Sequence, residues 1–211
     1  MGIAILIIGK SGSGKSTSLR SFQPGDVGII NVLGKPLPFR NNLPSVETDD
    51  YKKVMSVLTK STAKSIVVDD CGYLMTNQFM KGHANVGKGN DIFGFYNTIG
   101  DQFWRMITFV KELPADKLVY FMMHEDKNDF GDIKPKTIGK MLDEKVCVEG
   151  MFTIALRCKE HKFFTQTTDG DIAKTPMGMF DSIEIDNDLK MVDETIRNYY
   201  NLGGNNNEKT E

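Results

Sequence analysis

Arginine is scarce in this chain, which has five arginines among its 26 basic residues. They are scattered singly, at Arg20, Arg40, Arg105, Arg157 and Arg197. Enzymes that hold two polyphosphates at once usually use several arginines, because the planar guanidinium matches the geometry of phosphate. The scarcity disfavours an arginine-rich lid of that kind. The formal net charge is -2, so a globally cationic surface is excluded and nucleic acid would need a local basic patch.

Cysteines and long apolar runs are also few. Cys71, Cys147 and Cys158 form neither a Cys-x-x-Cys pair nor a Cys/His cluster, so we expect free thiols in a reducing compartment. The apolar run at residues 3–8 is far shorter than the roughly 20 residues of a membrane helix. No basic segment precedes it, as one would in a signal peptide. We therefore expect a cytoplasmic protein without a membrane partner.

Strands and helices alternate along most of the chain. Residues 3–8 are continuously apolar, as in a strand buried on both faces of a parallel sheet. Further strands are predicted at 27–32, 65–69, 117–123, 152–157 and 163–167, and helices at 16–22, 49–60 (with Thr48 as N-cap), 92–113 and 189–200. The alternation predicts an α/β fold of three layers, α/β/α, around a mostly parallel central sheet. We expect one domain over residues 1–202 and a disordered, apolar-poor tail over 203–211.

Two segments do not fit the alternation. Residues 82–90 are polar and rich in glycine, which predicts a mobile loop. Residues 125–136 are charged and are also predicted to form a loop. This second segment follows the carboxyl end of a strand, the edge at which open α/β sheets bind their ligands.

The first strand leads into a phosphate-binding motif. Residues 9–16 match G-x-x-x-x-G-K-[ST] at every position. Small residues let successive backbone N–H groups surround phosphates, and a following helix adds the positive end of its dipole. The motif predicts that Lys15 contacts the β- and γ-phosphates of ATP, or another nucleoside triphosphate, and that Ser16 ligates Mg²⁺. The predicted nucleotide-binding residues are Gly9, Lys10, Ser11, Gly12, Ser13, Gly14, Lys15, Ser16 and Thr17.

An apolar strand that ends in two acids supplies the second half of the predicted site. Residues 66–70 read Ile-Val-Val-Asp-Asp, the usual Walker B form, which sets a carboxylate beside the metal. We expect Asp69 to hold Mg²⁺. Asp70 is a candidate to polarise the attacking water, and its alternative role is a helix N-cap or turn residue. Glu47 is a second candidate for the catalytic base, because the loop before the helix at 49–60 could also face the nucleotide.

His124 follows the predicted strand at 117–123. At the carboxyl end of that strand, a polar side chain could sense the γ-phosphate, although a lone histidine can equally be structural. His83 and His161 lack such a context. The sequence therefore singles out His124 as a candidate catalytic residue, and none of the three histidines is predicted to bind a metal.

Several ordered segments carry a family resemblance. They are the P-loop, Val-Val-Asp-Asp, Met-His-Glu-Asp, Lys-Thr-Ile-Gly-Lys-Met-Leu-Asp-Glu-Lys, Val-Glu-Gly-Met-Phe, Ala-Lys-Thr-Pro-Met-Gly-Met-Phe and Ile-Asp-Asn-Asp-Leu. Together they resemble phage-encoded RecA-like nucleotide-binding proteins, the short AAA-type ATPases of phage recombination modules often grouped with Sak-type single-strand annealing proteins. The resemblance covers nearly the whole chain, from Ile3 to about Tyr200.

The resemblance implies a RecA-like ATPase core that acts on single-stranded DNA in phage replication or recombination, as a homo-oligomer in the host cytoplasm. It makes Lys136 and Lys140 candidates for a DNA-facing or nucleotide-facing loop. It makes Lys174 a candidate to reach the γ-phosphate bound by a neighbouring subunit. Independently of the resemblance, Lys134, Lys136 and Lys140 lie near Phe130 and could contribute to a groove for single-stranded DNA. The chain is shorter than full-length RecA proteins, so annealing, or assistance to a single-strand-binding protein, is expected rather than strand exchange.

Three other functions remain open from the sequence. A small P-loop kinase would transfer the γ-phosphoryl group to a nucleotide or metabolite, but the scarcity of arginine disfavours it. A non-catalytic accessory protein would bind ATP tightly without turnover. A GTPase is disfavoured because the chain lacks an Asn-Lys-x-Asp segment; Asp-Lys-Asn-Asp at 126–129 is similar only superficially.

Overall fold

The computed structural model describes residues 1–138, 146–167 and 170–202. Their centre is a sheet whose strands lie in the order β3-β2-β4-β5-β1-β7-β8-β9, with β6 paired to β5 alone. The strands are β1 (Ile3–Gly9), β2 (Val27–Asn31), β3 (Ser45–Glu47), β4 (Ser65–Asp69), β5 (Leu118–Lys127), β6 (Ile133–Pro135), β7 (Ile154–Lys159), β8 (Lys162–Phe164) and β9 (Glu184–Asp186). In the order of the sheet, the first six strands pair in parallel; they are β3, β2, β4, β5, β1 and β7. Strands β6, β8 and β9 pair antiparallel.

Hydrophobic layers cover both faces of this sheet. On β1, Leu6 and Ile8 belong to the cluster on one face, whereas Ile5 and Ile7 belong to the cluster on the other. This alternation follows from the two-residue period of a strand. Because both faces are buried, the central strands read as continuous apolar runs. The predicted fold class, a three-layer α/β/α fold around a mostly parallel sheet, is confirmed.

The helices of the described chain are α1 (Tyr51–Lys60), α2 (Gly72–Gly82), α3 (Asn90–Phe109) and α4 (Leu189–Tyr199). The first three pack on the face that carries Leu6 and Ile8, and α4 packs on the opposite face. The N-cap of α1 is Asp50, whose side chain accepts a hydrogen bond from the Lys53 N–H, so the prediction of Thr48 was wrong. Thr48 instead accepts a hydrogen bond from the Asp50 N–H through its hydroxyl.

Two other expectations need correction. The helix predicted after the P-loop is a six-residue 3₁₀ helix, Ser16–Ser21, because Ser18 donates its hydroxyl hydrogen bond to the Lys15 carbonyl and tightens the turn. The segment 125–136 is a hairpin rather than a loop, since β5 continues to Lys127 and turns back into β6. Within the segment 82–90, residues His83–Asn85 form a 3₁₀ turn.

The candidate DNA contact Lys140 and the predicted tail 203–211 lie outside the described residues. Within the described parts of the chain, no helix is both long and apolar enough to cross a membrane.

Candidate active site

The order of the central strands brings three predicted segments to one edge. Strand β5 lies between β1 and β4, and all three run parallel. The register pairs Gly9, at the end of β1, with His124 on β5, and Val68, just before Asp69, with Phe121. Because parallel strands end at the same edge, the P-loop, the two acids and His124 meet there.

Two glycines of the P-loop are required by close backbone approach. A Cβ at Gly9 would lie 2.3 Å from the carbonyl oxygen of Cys158, far inside van der Waals contact. Gly14 has a φ of +109°, and a Cβ there would lie 2.7 Å from Nδ2 of Asn187. Only glycine meets both requirements without strain. The motif therefore closes tightly against β7 and the segment before α4.

Residues that the sequence did not single out hold this loop in place. The Cys158 thiol and the His161 backbone N–H both donate hydrogen bonds to the Ser13 carbonyl, at 3.2 and 3.0 Å. Asn187 donates from Nδ2 to the Gly14 carbonyl at 3.1 Å. Asn187 lies in the Ile-Asp-Asn-Asp-Leu segment, for which the resemblance implies no role. These contacts preorganise the loop from the β7–β8 side.

Lys15 is buried, with 6% of its surface exposed. Its ammonium group donates hydrogen bonds to the carbonyls of Gly9 and Lys10, at 2.8 and 2.9 Å. Burial lowers the pKa of Lys15, while nearby carboxylates, Asp70 first among them, act against that shift. Backbone carbonyls are neutral acceptors, so phosphate oxygens would replace them with stronger, charge-assisted hydrogen bonds.

Ser16 and Asp69 form the predicted metal pair. The Ser16 hydroxyl donates to Oδ1 of Asp69 at 3.0 Å, and Asp69 is 7% exposed. Burial, and then the neighbouring Asp70 carboxylate, raises the pKa of Asp69 to about 6. A buried carboxylate next to a hydroxyl oxygen suits a hard cation such as Mg²⁺. The described residues contain no cluster of three or more His, Cys, Asp or Glu ligands, so the remaining ligands would be phosphate oxygens and water, as Mg²⁺ prefers.

Asp70 has a left-handed backbone, with a φ of 56°. Its carboxylate contacts two nitrogens, Nε2 of His124 and Nζ of Lys35, each at 3.2 Å. Burial pushes the pKa of Asp70 up, but these two contacts outweigh burial and hold it below the usual value. The N-cap position of α2 is Cys71, which makes no side-chain cap. Asp70 thus faces the site, and a strained backbone at such a place favours a functional interpretation.

His124 joins two adjoining pockets. The first, of about 240 Å³, is lined by P-loop residues together with Asn31, Lys35, Pro36, Pro38, Asp69, Asp70 and His124. The second, of about 470 Å³, is lined by Lys10, Ser11, Lys35, Gly72, Tyr73, Thr76, His124, Glu125, Lys136, Thr137 and Ile138. Ser11, Lys35 and His124 belong to both. A ligand in the first pocket would therefore lie directly beside a ligand in the second.

The structure does not bring every predicted residue to this edge. Glu47 ends the edge strand β3, packs against Gly34, and is absent from the described lining of both pockets. Lys174 pairs through its backbone with Ala155 on β7 and lines neither pocket. Lys134 lies in β6, and Lys136 follows that strand. Of the candidate lysines on this segment, Lys136 reaches the second pocket.

A buried charge cluster next to His124 escaped the sequence analysis. Arg157 on β7 binds Glu125 with two hydrogen bonds, at 2.9 and 3.0 Å, and Asp171 with one at 2.9 Å. Both acidic side chains are only 4% exposed. The two carboxylates raise the pKa of Arg157 further, Glu125 having the larger effect. No local sequence pattern predicts this cluster, because its three members come from separate parts of the chain.

Comparison with known proteins agrees with this geometry. No curated protein matches the sequence significantly. A family described as an AAA domain matches residues 1–177, which is most of the chain and includes the P-loop, Asp69, Asp70 and His124. The chain therefore belongs to the AAA domain family and is a P-loop NTPase.

Proposed function

We propose that the protein is an Mg²⁺-dependent ATPase that binds single-stranded DNA and promotes annealing or recombination. One observation carries the link between the two activities: the Lys136 backbone N–H donates to the carbonyl of His124 at 2.8 Å. The candidate γ-phosphate sensor is thus hydrogen-bonded directly to the candidate DNA-binding segment. Because this bond joins Lys136 directly to His124, contacts between a bound nucleotide and His124 would act next to the candidate DNA-binding segment, with no residue in between.

The residues of the first pocket suit ATP hydrolysis. Lys15 would leave its carbonyl partners and contact the β- and γ-phosphates, with Ser16 and Asp69 holding the metal. Mg²⁺ bound there would neutralise charge on the phosphate oxygens. Asp70 would orient a water molecule and accept its proton as the water oxygen bonds to the γ-phosphorus. The bond from that phosphorus to the β–γ bridging oxygen breaks, which releases ADP and phosphate.

The second pocket suits a phosphodiester strand. Lys10 and Lys136 supply positive charge and Tyr73 supplies an aromatic ring, the two features that grooves for single-stranded nucleic acid combine. Phe130, at the tip of the β5–β6 hairpin, is 92% exposed and could stack on a base. Charge in this groove is local, in agreement with the overall net charge of -2.

An oligomer would complete the site through Lys174. Both backbone groups of Lys174 bond to Ala155 at 2.8 Å, so the residue is fixed to the sheet beside β7. A lysine held in this way could enter the site of a neighbouring copy and neutralise charge on the γ-phosphate. This role requires a homo-oligomer, and a single-strand-binding protein remains a candidate partner.

The test is ATP hydrolysis with and without single-stranded DNA at low salt, with Lys15→Ala as the inactive control. We expect stimulation by DNA that fades as salt rises, because binding to phosphates releases counterions. Tight ATP binding without phosphate release would favour a non-catalytic accessory role. If the rate of ATP hydrolysis is the same with and without DNA at every salt concentration, the proposed DNA binding is contradicted, but the proposed ATPase activity is not.

The second pocket also allows a kinase, because an acceptor bound there would lie beside the γ-phosphate. The arginines weigh against this alternative. Four of the five make internal contacts: Arg20 with Asn187, Arg105 with Asp101, Arg157 with Glu125 and Asp171, and Arg197 with Asp193. Few guanidinium groups therefore remain to bind a second polyphosphate. Transfer of labelled phosphate from ATP to an added nucleotide would establish the kinase instead.

A further inference from the structure

Lys35 lies outside both the P-loop motif and the Walker B strand. It follows β2 in the segment Gly34-Lys35-Pro36, and it lines both pockets. Its side chain is 61% exposed, yet its ammonium group lies 3.2 Å from Oδ2 of Asp70 and 5.5 Å from the centre of the Tyr73 ring. A long lysine that reaches into a pocket from an exposed backbone can change partners at little cost.

The two partners of Asp70 differ in how freely they can move. Oδ1 of Asp70 contacts His124 and Oδ2 contacts Lys35. With both oxygens engaged, a water molecule bound to Asp70 must share an oxygen with His124 or with Lys35. His124 lies within β5 and is 22% exposed at its side chain, whereas Lys35 is mostly exposed. Lys35 is therefore the partner that can leave without disturbing the sheet.

The charges of the first pocket favour a contact between Lys35 and a terminal phosphate. Lys15 and Lys35 together balance Asp69 and Asp70 at the first pocket. If Lys35 were absent, the two carboxylates would outnumber the remaining lysine among the protein groups of this pocket, so Lys35 makes these groups neutral overall before nucleotide and metal bind. Opposite charges in a partly buried site attract strongly, and an ammonium group binds phosphate as a compact point charge.

We propose that Lys35 is a phosphate-binding residue that exchanges Asp70 for the terminal phosphate of the bound nucleotide. This inference rests on the proposed nucleotide site. Binding of the triphosphate draws Lys35 away from Oδ2 of Asp70, so the same movement neutralises the phosphate and frees the carboxylate for water. Lys35 acts in cis and contacts the terminal phosphate alone, whereas Lys15 contacts the β-phosphate as well.

The proposal predicts a specific loss of discrimination between triphosphate and diphosphate. Lys35→Ala should weaken binding of the non-hydrolysable ATP analogue AMP-PNP by about tenfold or more, the size expected for a hydrogen bond to a charged group. Binding of ADP should change by less than about twofold. Lys35→Arg should recover most of the AMP-PNP affinity, because the charge is kept.

The measurement is calorimetric titration of each nucleotide, with Mg²⁺, into the full chain and its variants. Lys52→Ala is the matched control, since Lys52 is an exposed lysine on α1 that lines neither pocket; it should change neither affinity. Urea unfolding of each variant verifies that the chain is folded.

Two further results separate this inference from the proposed function. If Lys15→Ala leaves AMP-PNP binding intact, the P-loop site itself is overturned. If Lys15→Ala abolishes binding but Lys35→Ala weakens AMP-PNP and ADP equally, or weakens neither, the nucleotide site stands and the role of Lys35 is overturned. Failure of Lys35→Arg to recover affinity would likewise contradict a charge-based role.

Discussion

At the amino-terminal end of the sheet, Asp193 accepts hydrogen bonds from Tyr120, Ser65 and Arg197, whereas at the carboxyl-terminal end Asp70 contacts Lys35 and His124. Both acids are mostly buried, with side chains 9% and 17% exposed. The difference lies in their partners. Those of Asp193 belong to α4 and to the starts of β4 and β5, which hold them in place. Asp70 has one partner on a strand and one on an exposed segment.

The same contrast extends to the neighbouring residues of each end. Arg197 also donates to the Ser65 hydroxyl and to the Asp116 carbonyl, so every side-chain nitrogen and hydroxyl group of the amino-terminal cluster has a protein partner. At the other end, Lys15 rests on backbone carbonyls, and among the described residues the buried Ser13 hydroxyl has no hydrogen-bond partner. A cluster that the protein satisfies by itself contributes stability, whereas one left partly open can accept a ligand.

The largest expected effect is on the amino-terminal cluster. Asp193→Ala leaves the fully buried Tyr120 hydroxyl and the Ser65 hydroxyl without their acceptor, and Arg197 without its counter-ion. Breaking such a buried network costs about 3–5 kcal/mol. We expect the free energy of unfolding, measured with urea, to fall by that amount.

Glu194→Ala serves as the control for this prediction, because Glu194 is the next residue on the same helix and is exposed. It should change the free energy of unfolding by less than about 0.5 kcal/mol. A loss for Asp193→Ala as small as that of the control would show that the amino-terminal cluster does not stabilise the fold.

Substitution of Asp69 should raise the free energy of unfolding, opposite to the effect at Asp193, and by a smaller amount. Burial raises the pKa of Asp69 to about 6, which means that the folded protein is destabilised by the charged form at neutral pH. Asp69→Asn removes that charge and keeps an acceptor for Ser16, so in metal-free buffer we expect the protein to become more stable by about 1–2 kcal/mol. ATP turnover with Mg²⁺ should fall by about 100-fold or more.

Asp49→Asn is the comparison for Asp69, since hydrogen bonds from Lys81 and Asn77 lower the pKa of Asp49 against the opposing effect of burial. That variant should gain no stability and should retain turnover. If Asp69→Asn were less stable than the wild type, the view that this end of the sheet gives up stability for ligand binding would be wrong.

An effect on stability of similar or smaller size is expected from the same serine-to-alanine substitution at the two ends. Ser65→Ala removes a hydroxyl that donates to Asp193 and accepts from Arg197, and it should lower the free energy of unfolding by about 1–2 kcal/mol. Ser13→Ala removes a buried hydroxyl without a protein partner among the described residues, so it should leave that free energy unchanged or raise it slightly. Thermal or urea unfolding of the two variants side by side measures the difference. Equal losses would remove the distinction between the two ends.

Patterns confined to one stretch of the chain could be predicted. The buried strands β1, β2, β4 and β5 are apolar runs, and helices α1, α3 and α4 carry apolar residues at helical spacing. The three-residue strands β3, β6 and β9 were missed, because pairing with a neighbour defines them and so short a pattern cannot. Helix α2 was missed as well. It has glycine at both ends and packs against α3, so tertiary contact supports it more than propensity does.

The residues of the candidate site also fall into those that a local pattern predicts and those that it does not. The sequence by itself determined the P-loop and the acids that end β4, because their chemistry depends on residues close together in the chain. It also named His124 as a candidate, but it ended the strand too early, since β5 continues past His124 to Lys127, and it did not determine which strands lie beside it. Only the tertiary structure decided that β5 lies between β1 and β4, that Lys35 reaches Asp70, and that Asn187 supports Gly14. These contacts join residues 35 to 173 positions apart, and they depend on strand order and register, which no local pattern of residues specifies.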